Sequence, residues 1–351
     1  KLLKAIGEIK EGYAPAAIFV YGTCVTELIG DDIAAVCRHA AQKFAIPVVP
    51  VKSPGFGGSK NLGTRLAGEA LLEHVIGTVE ADDPGPCDIN ILGEFNLSGE
   101  FWFVKPLLDR LGIRVRACIP GDARYAQVAS AHRSRAAMMV CSTALINLAR
   151  KMEERWNIPF FEGSFYGISS TSESLRRIAQ LLVKKGAGSA LLHHVEALLA
   201  EEEERGAWKK LEAYRRRLEG KRVHLNTGGV KSWSIVHALI EIGMEIVGTS
   251  IRKSTTRDKE RIKQMLKDEN HLHQSMAASE LYAMLRRDQA DIMLSGGRTQ
   301  FVALEAKIPW LDVNQERQHA YAGYEGMVEL ARQIDLAIHN PVWAQVRKPA
   351  P

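Results

Sequence analysis

The feature that most constrains this chain is an alternation of short apolar strands with amphipathic helices through nearly all of its 351 residues. Apolar runs at 16–20 and 47–51 flank a helical pattern at 31–44. A second series puts strands at 89–92, 115–119, 137–141 and 159–161, with helices near 99–111, 123–130, 144–155 and 172–184. A third puts strands at 222–226, 245–249, 291–294 and 310–313, again with helices between. Parallel strands need a crossover, and a helix is the usual one, so repeated βα units predict parallel sheets covered on both faces. The expected fold is α/β: three Rossmann-like domains, each a mainly parallel sheet flanked by helices.

Two stretches mark boundaries between the series. The acidic, Pro- and Gly-containing EADDPGPCD at 80–88 ends the first, so residues 1–80 form the first domain and 85–192 the second. The charged HHVEALLAEEEERGAWKKLEAYRRRLEG at 193–220 reads as a solvated connecting helix with mixed charge pairs. Residues 221–351 then form the third domain with a C-terminal helix. The chain opens at Lys1 in mid-pattern, without methionine, which suggests that an N-terminal segment is missing. A cleft shared by the domains is the default ligand site.

Composition narrows the function classes. A net charge of +5, with basic and acidic residues interleaved, argues against nucleic acid as a partner. No apolar run reaches the roughly 18 residues that span a bilayer, and no export signal is visible, so no membrane partner and a cytoplasmic location are expected. The five cysteines are odd in number and widely spaced, which disfavours a disulfide framework and leaves thiols for burial or metal ligation.

Two of those cysteines sit where ligands bind in open α/β sheets, on the turns leaving the carboxyl ends of strands. Cys24 follows the strand at 16–20, and Cys141 ends the strand at 137–141. Burial and ligation remain equally open for this pair on sequence alone, whereas Cys37, Cys87 and Cys118 read as structural. Three glycine-rich βα turns each carry a cation: PGFGGSKNLG with Lys60, LNTGGVKSW with Gly228, Gly229 and Lys231, and LSGGRTQF with Arg298. Backbone N–H groups and a cation at a helix start suit an anion. None of the three has P-loop or dinucleotide-binding spacing, so nucleotide binding is not supported. His271 and His273 read as surface residues of a polar loop, and Asp31-Asp32 as a helix cap.

Taken together, CVTELIGDDI, PGFGGSKNLG, GEFNLSGEFW, MMVCS, RKMEERWNIPFFEGSFYGISST, TGGVKSW, SGGR and AGYEG resemble, in this order, the nitrogenase component 1 family over nearly the whole chain. The chain is most similar to the branch that assembles the iron–molybdenum cofactor. That resemblance implies three α/β domains around a central cluster cavity. It implies that Cys24 ligates a 4Fe–4S cluster shared with a partner subunit, two further ligands lying upstream of Lys1. It implies that Cys141 anchors an iron of the cofactor precursor, with Lys60, Asn61, Phe95, Gly228, Gly229, Lys231 and Arg298 around that precursor. Where the nitrogen-reducing subunit has histidines, this chain offers Thr64 and Ala322.

The implied role is a maturation scaffold rather than a catalyst, with no catalytic residue assigned. The precursor is matured with molybdenum and homocitrate and passed to apo-nitrogenase component 1. The implied partners are the N subunit of the scaffold in an α2β2 heterotetramer, the nitrogenase iron protein and a precursor donor. A catalytic-type reductase subunit and the equivalent scaffold of a vanadium system are the alternatives.

Overall fold

The fold is that of a computed structural model. It describes the chain except Ser59, Ala81, Asp82, Cys141, Gly228, Gly229, Arg252, Lys253, Lys267, Asp268, Ser275, 315–317 and 349–351. It also leaves undescribed the side chains of Lys60, Asn61, Ser142, Thr143, Ala144, Glu204, Arg205, Val230, Lys231 and Glu269. The strands are β1 Ile18–Tyr21, β2 Val48–Val51, β3 Asp88–Glu94, β4 Arg114–Pro120, β5 Ala136–Met139 and β6 Phe160–Glu162. They continue with β7 Arg222–Asn226, β8 Glu245–Ser250, β9 Leu272–His273, β10 Ile292–Ser295 and β11 Trp310–Asp312. Three sheets result, ordered β1-β2, β4-β3-β5-β6 and β11-β10-β7-β8-β9. The described pairings are parallel, as the βα alternation requires.

The chain forms two compact units. One comprises residues 1–94 and 114–161, the other 95–113 and 162–351. In the first unit, β1 and β2 pack on helices Leu2–Tyr13 and Ile33–Phe44 through Ile6, Ile18, Ile33, Cys37, Ala40 and Val48. Asp32 caps the second of these helices, its carboxylate accepting from the Ala35 N–H at 2.9 Å. A larger core joins Val49 and Val51 to Leu92, Met139, Leu148, Met152 and Ile158. Helices Lys60–His74 and Ser142–Trp156 approach closely at Gly68, where an added Cβ would lie 3.3 Å from Leu145 Cδ2.

The start of β3 is pinned by a buried carboxylate. Asp88 is 2% exposed. It accepts from Arg114 Nε at 2.8 Å, Arg114 Nη2 at 2.7 Å, Arg116 Nη2 at 2.5 Å and the Gly85 N–H at 2.9 Å. Burial alone would raise its pKa, but the hydrogen bonds from Arg114, Gly85 and Arg116 outweigh that and hold it below the ordinary aspartate value.

In the second unit, Val247, Leu281, Leu285, Met293, Val302 and Ile308 form the main core cluster. The 193–220 stretch is not a helix solvated on all sides. It runs as helix Ala190–Leu199, a π-helical segment Ala200–Ala207 and helix Trp208–Leu218. Val195, Leu198, Leu199, Leu211 and Leu218 are buried in it, and it packs against helices Ile168–Lys184 and Gly323–Ile338. The apolar residues lie at helical spacing beneath a dense charged face, which masks them in a composition reading. Strand β9 is a second departure, since His273 sits on it at the sheet edge rather than in a polar loop. Among the described residues no helix is long and apolar enough to cross a membrane.

Removing the Asp88 charge tests this core. Asp88→Asn should lower unfolding stability at pH 7 by roughly 3 kcal/mol, because two arginines lose a buried partner. The folded-state pKa is depressed, so the aspartate's contribution is present above the unfolded value of ~3.9 and is lost as pH falls below it. Urea unfolding of both proteins across pH should show the gap closing on the acid side.

Candidate functional site

In the first unit the carboxyl edge of the β1-β2 sheet brings Cys24 and a glycine turn together. Tyr21 pairs with Val51 at the end of the register, and the Gly22 N–H donates to the Val51 carbonyl at 2.9 Å. The two strands therefore release their turns side by side. Cys24 opens the short helix Cys24–Leu28, which Thr23 caps by accepting from the Thr26 N–H at 3.3 Å. The glycine turn that follows β2 lies against this cysteine, for a Cβ added to Gly55 would stand 3.1 Å from Cys24 Sγ. Glycine there leaves the sulfur open on that side.

The surroundings of Cys24 are unusual for a water-facing surface. Cys24 itself is exposed, and Tyr21, Val25, Leu28, Ile29 and Phe56 are 58–75% exposed within the same turns. Single exposed apolar residues are ordinary, but five of them grouped around a thiol make a patch that calls for cover. The same glycine turn lines a cavity of about 270 Å³ with Ser53, Pro54, Gly58, Leu62 and Gly63. Lys60 and Asn61 begin the helix Lys60–His74 that follows, and their side chains lie outside the described residues.

Cys141 also lies outside the described residues. Strand β5 before it pairs with β3, Leu92 opposite Met139, and the Val140 N–H donates to the Leu92 carbonyl at 2.7 Å. In the order β4-β3-β5-β6, β3 and β5 mark the place where chain order reverses, which in open α/β sheets opens a crevice. The helix Ser142–Trp156 is irregular near its start, with Leu145 at φ −125°, ψ 16°. Cys37 and Cys118 are buried, and burial pushes both thiols up. Burial, with Asp88 nearby, also raises the half-buried Cys87. These three have the structural character expected of them.

In the second unit two of the glycine-containing stretches follow neighbouring strands, β7 and β10. Asn226 at the end of β7 pairs with Ser295 at the end of β10, so the chain leaves both strands at the same edge, at Thr227 and at Gly296. This is also where the strand order reverses in β11-β10-β7-β8-β9. Gly228 and Gly229 lie outside the described residues, and Lys231 stands in helix Val230–Glu241 with its side chain undescribed. Arg298 is exposed on the turn Gly297–Thr299. That turn is held from beneath, where Ser295 Oγ accepts from Thr299 Oγ1 at 2.9 Å and from Trp310 Nε1 at 2.8 Å.

Sequence reasoning missed the buried hydroxyls of this region. Thr227, Ser232 and Thr249 each bury a side-chain oxygen without a hydrogen-bond partner among the described residues. The only signal was the run of small hydroxylated residues around TGGVKSW. Phe95, 44% exposed, belongs to this unit. Its turn is shaped by Asn96, at φ 51°, whose side chain accepts from the Phe101 N–H at 3.0 Å. Among the described residues no three His, Cys, Asp or Glu side chains converge on a point that would hold a metal ion.

Comparison with known proteins decides the lineage. The model of nitrogenase component 1 type oxidoreductases matches residues 1–339. The chain belongs to that family. The nitrogenase iron-molybdenum cofactor biosynthesis protein NifE of Mesorhizobium japonicum is 77% identical over 351 residues, covering 100% of this chain and 71% of the relative. The protein of the same description from Sinorhizobium fredii is 74% identical with the same coverage. Among solved structures, nitrogenase Cp1 at pH 5 superposes with a TM-score of 0.88 at 24% identity, covering 99% of this chain and 76% of that one. This last likeness speaks for the component 1 fold, with its parallel sheets flanked by helices.

The exposure of the thiols gives a direct check. Of the four described cysteines, Cys24 should be alkylated first by iodoacetamide in the folded chain, and Cys37 and Cys118 only after unfolding. Peptide mass spectrometry at short reaction times reads this order, and early labelling of Cys37 or Cys118 would contradict the structure.

Proposed function

We propose that this chain is a scaffold subunit on which the iron–molybdenum cofactor is assembled. What carries the reading is the 77% identity along the entire chain to a relative named for that biosynthesis. The alternatives, a nitrogen-reducing subunit or a vanadium-system scaffold, have no comparable support.

The donor chemistry fits iron–sulfur groups. An exposed thiol, a glycine turn stripped of a Cβ beside it and an apolar collar suit a shared 4Fe–4S cluster that a partner subunit covers. When bound, such a cluster supplies electron transfer. Cys24 contributes one thiolate, and the remaining ligands come from outside the described chain, one of them from the partner. The partner is the N subunit, in an α2β2 heterotetramer.

The cofactor precursor is cargo, held through Cys141. Lys60, Lys231 and Arg298 offset the negative charge of the cluster and of homocitrate, while Asn61, Phe95, Gly228 and Gly229 shape the space around it. Ala322 is 2% exposed and caps helix Gly323–Ile338, its successor Gly323 donating to the Phe165 carbonyl at 2.7 Å. A methyl group there gives no second ligand, so release breaks one protein–iron bond. Molybdenum and homocitrate enter with the nitrogenase iron protein, a donor supplies the precursor, and the product passes to apo-nitrogenase component 1.

Cys141→Ala should abolish retention of the large precursor while leaving the complex folded, as read by iron analysis and circular dichroism. Full precursor iron in that variant would overturn the anchor assignment. Ala322→His, by adding a ligand, should slow transfer to apo-nitrogenase by roughly tenfold or more, since each ~1.4 kcal/mol of added binding is a factor of ten.

A further inference from the structure

Strand β7 contains a residue that its position does not explain. Between Val223 and Leu225, His224 is 0% exposed in the centre of the five-stranded sheet. Its Nε2 lies 3.2 Å from Nε2 of His273 on β9 and 3.3 Å from Sδ of Met284 on helix Ala278–Arg287. The two imidazole planes are within 16° of each other at a centroid distance of 5.0 Å. The Nδ1 atoms of both rings are buried without a hydrogen-bond partner among the described residues. Burying polar atoms in this way costs stability, and a leucine at 224 would avoid it.

The sheet also makes room for the ring. A Cβ at Gly248 on β8 would overlap His224 Cδ2 and Nε2. Glycine in a strand interior weakens the strand, so its presence here preserves the histidine's place. His273 forms part of the wall of a cavity of about 180 Å³ shared with Asn226, Ser250, Gln274, Met276 and Thr299. Of the three donor residues, His273 is the one that this cavity reaches.

We propose that His224, His273 and Met284 form a binding site for a soft monovalent metal ion of the copper(I) class. Bonds of about 2.0–2.3 Å to one ion separate its ligand atoms by roughly 3.3–3.8 Å in tetrahedral geometry. The observed 3.2 and 3.3 Å come within a few tenths of an ångström of that range. Burial holds both imidazoles neutral at physiological pH, His224 pushed down to about 3 and His273 to about 4, so ring lone pairs are available. All three donors are uncharged, which leaves a dication uncompensated in the interior, whereas a monovalent ion costs much less to bury. A thioether beside two imidazoles is a ligand set that favours copper(I) over hard cations. The three donors are not among the residues assigned to the clusters, and the proposal does not rest on the assembly reading.

The test uses the full chain in its complex, labelled with methyl-¹³C methionine and titrated anaerobically with copper(I) buffered by a competing chelator. The expected result is one ion bound with a shift of a single methionine methyl resonance, assigned to Met284 by its loss in Met284→Leu. That substitution conserves volume and keeps the core packed. His273→Ala, at the sheet edge, should weaken binding by at least ~10-fold. Absence of binding, binding that leaves the Met284 methyl unmoved, or equal affinity in His273→Ala would each overturn the proposal, and would leave the two histidines as a buried hydrogen-bonded pair.

Discussion

The register of parallel pairing governs where this chain can do chemistry. Asn226 opposite Ser295 forces the turns of two separate βα units to leave their sheet side by side, and Tyr21 opposite Val51 does the same in the other unit. Parallel strands deliver their carboxyl ends to one edge because each crossover helix returns the chain to the opposite end. Residues far apart in sequence, such as Cys24 and Gly55, or Lys231 and Arg298, are thereby assigned to shared edges within their units. Most side chains of the central strands are committed to the core, which leaves the turns as the main place for ligands.

At the β1-β2 edge the turns combine properties that would each be unfavourable alone. An exposed thiol next to exposed Val25, Leu28, Ile29 and Phe56 is a poor surface for a protein that stays unpartnered. It is a good one for a soft metal cluster covered by a second subunit. At the β7-β10 edge the balance differs, with Arg298 exposed on its turn and buried hydroxyls at Thr227 and Ser232 left without partners among the described residues. That combination suits an anionic guest.

Most of the fold was legible in the sequence because buried parallel strands are short continuous apolar runs. The run at 222–226 became β7 with those limits, and the others shifted by one or two residues. β9 escaped because two residues, Leu272 and His273, carry no periodicity. The helices at 190–218 were recognisable as helical, but their charge density hid the buried Val195, Leu198 and Leu211. Cys24 was legible as an isolated thiol on a turn, whereas its apolar collar was not, since nothing in the sequence marks Leu28 and Phe56 as exposed. His224 was hidden for the opposite reason: flanked by Val223 and Leu225, it took the burial of its strand.

The central claim is that this chain carries iron–sulfur cargo on its turns. Iron and molybdenum analysis together with electron paramagnetic resonance of the anaerobically purified complex tests it most directly. The account predicts two kinds of cluster, a 4Fe–4S centre that disappears in Cys24→Ala and a larger precursor that survives that change. A colourless complex without iron, or a single cluster type unaffected by Cys24→Ala, would contradict it.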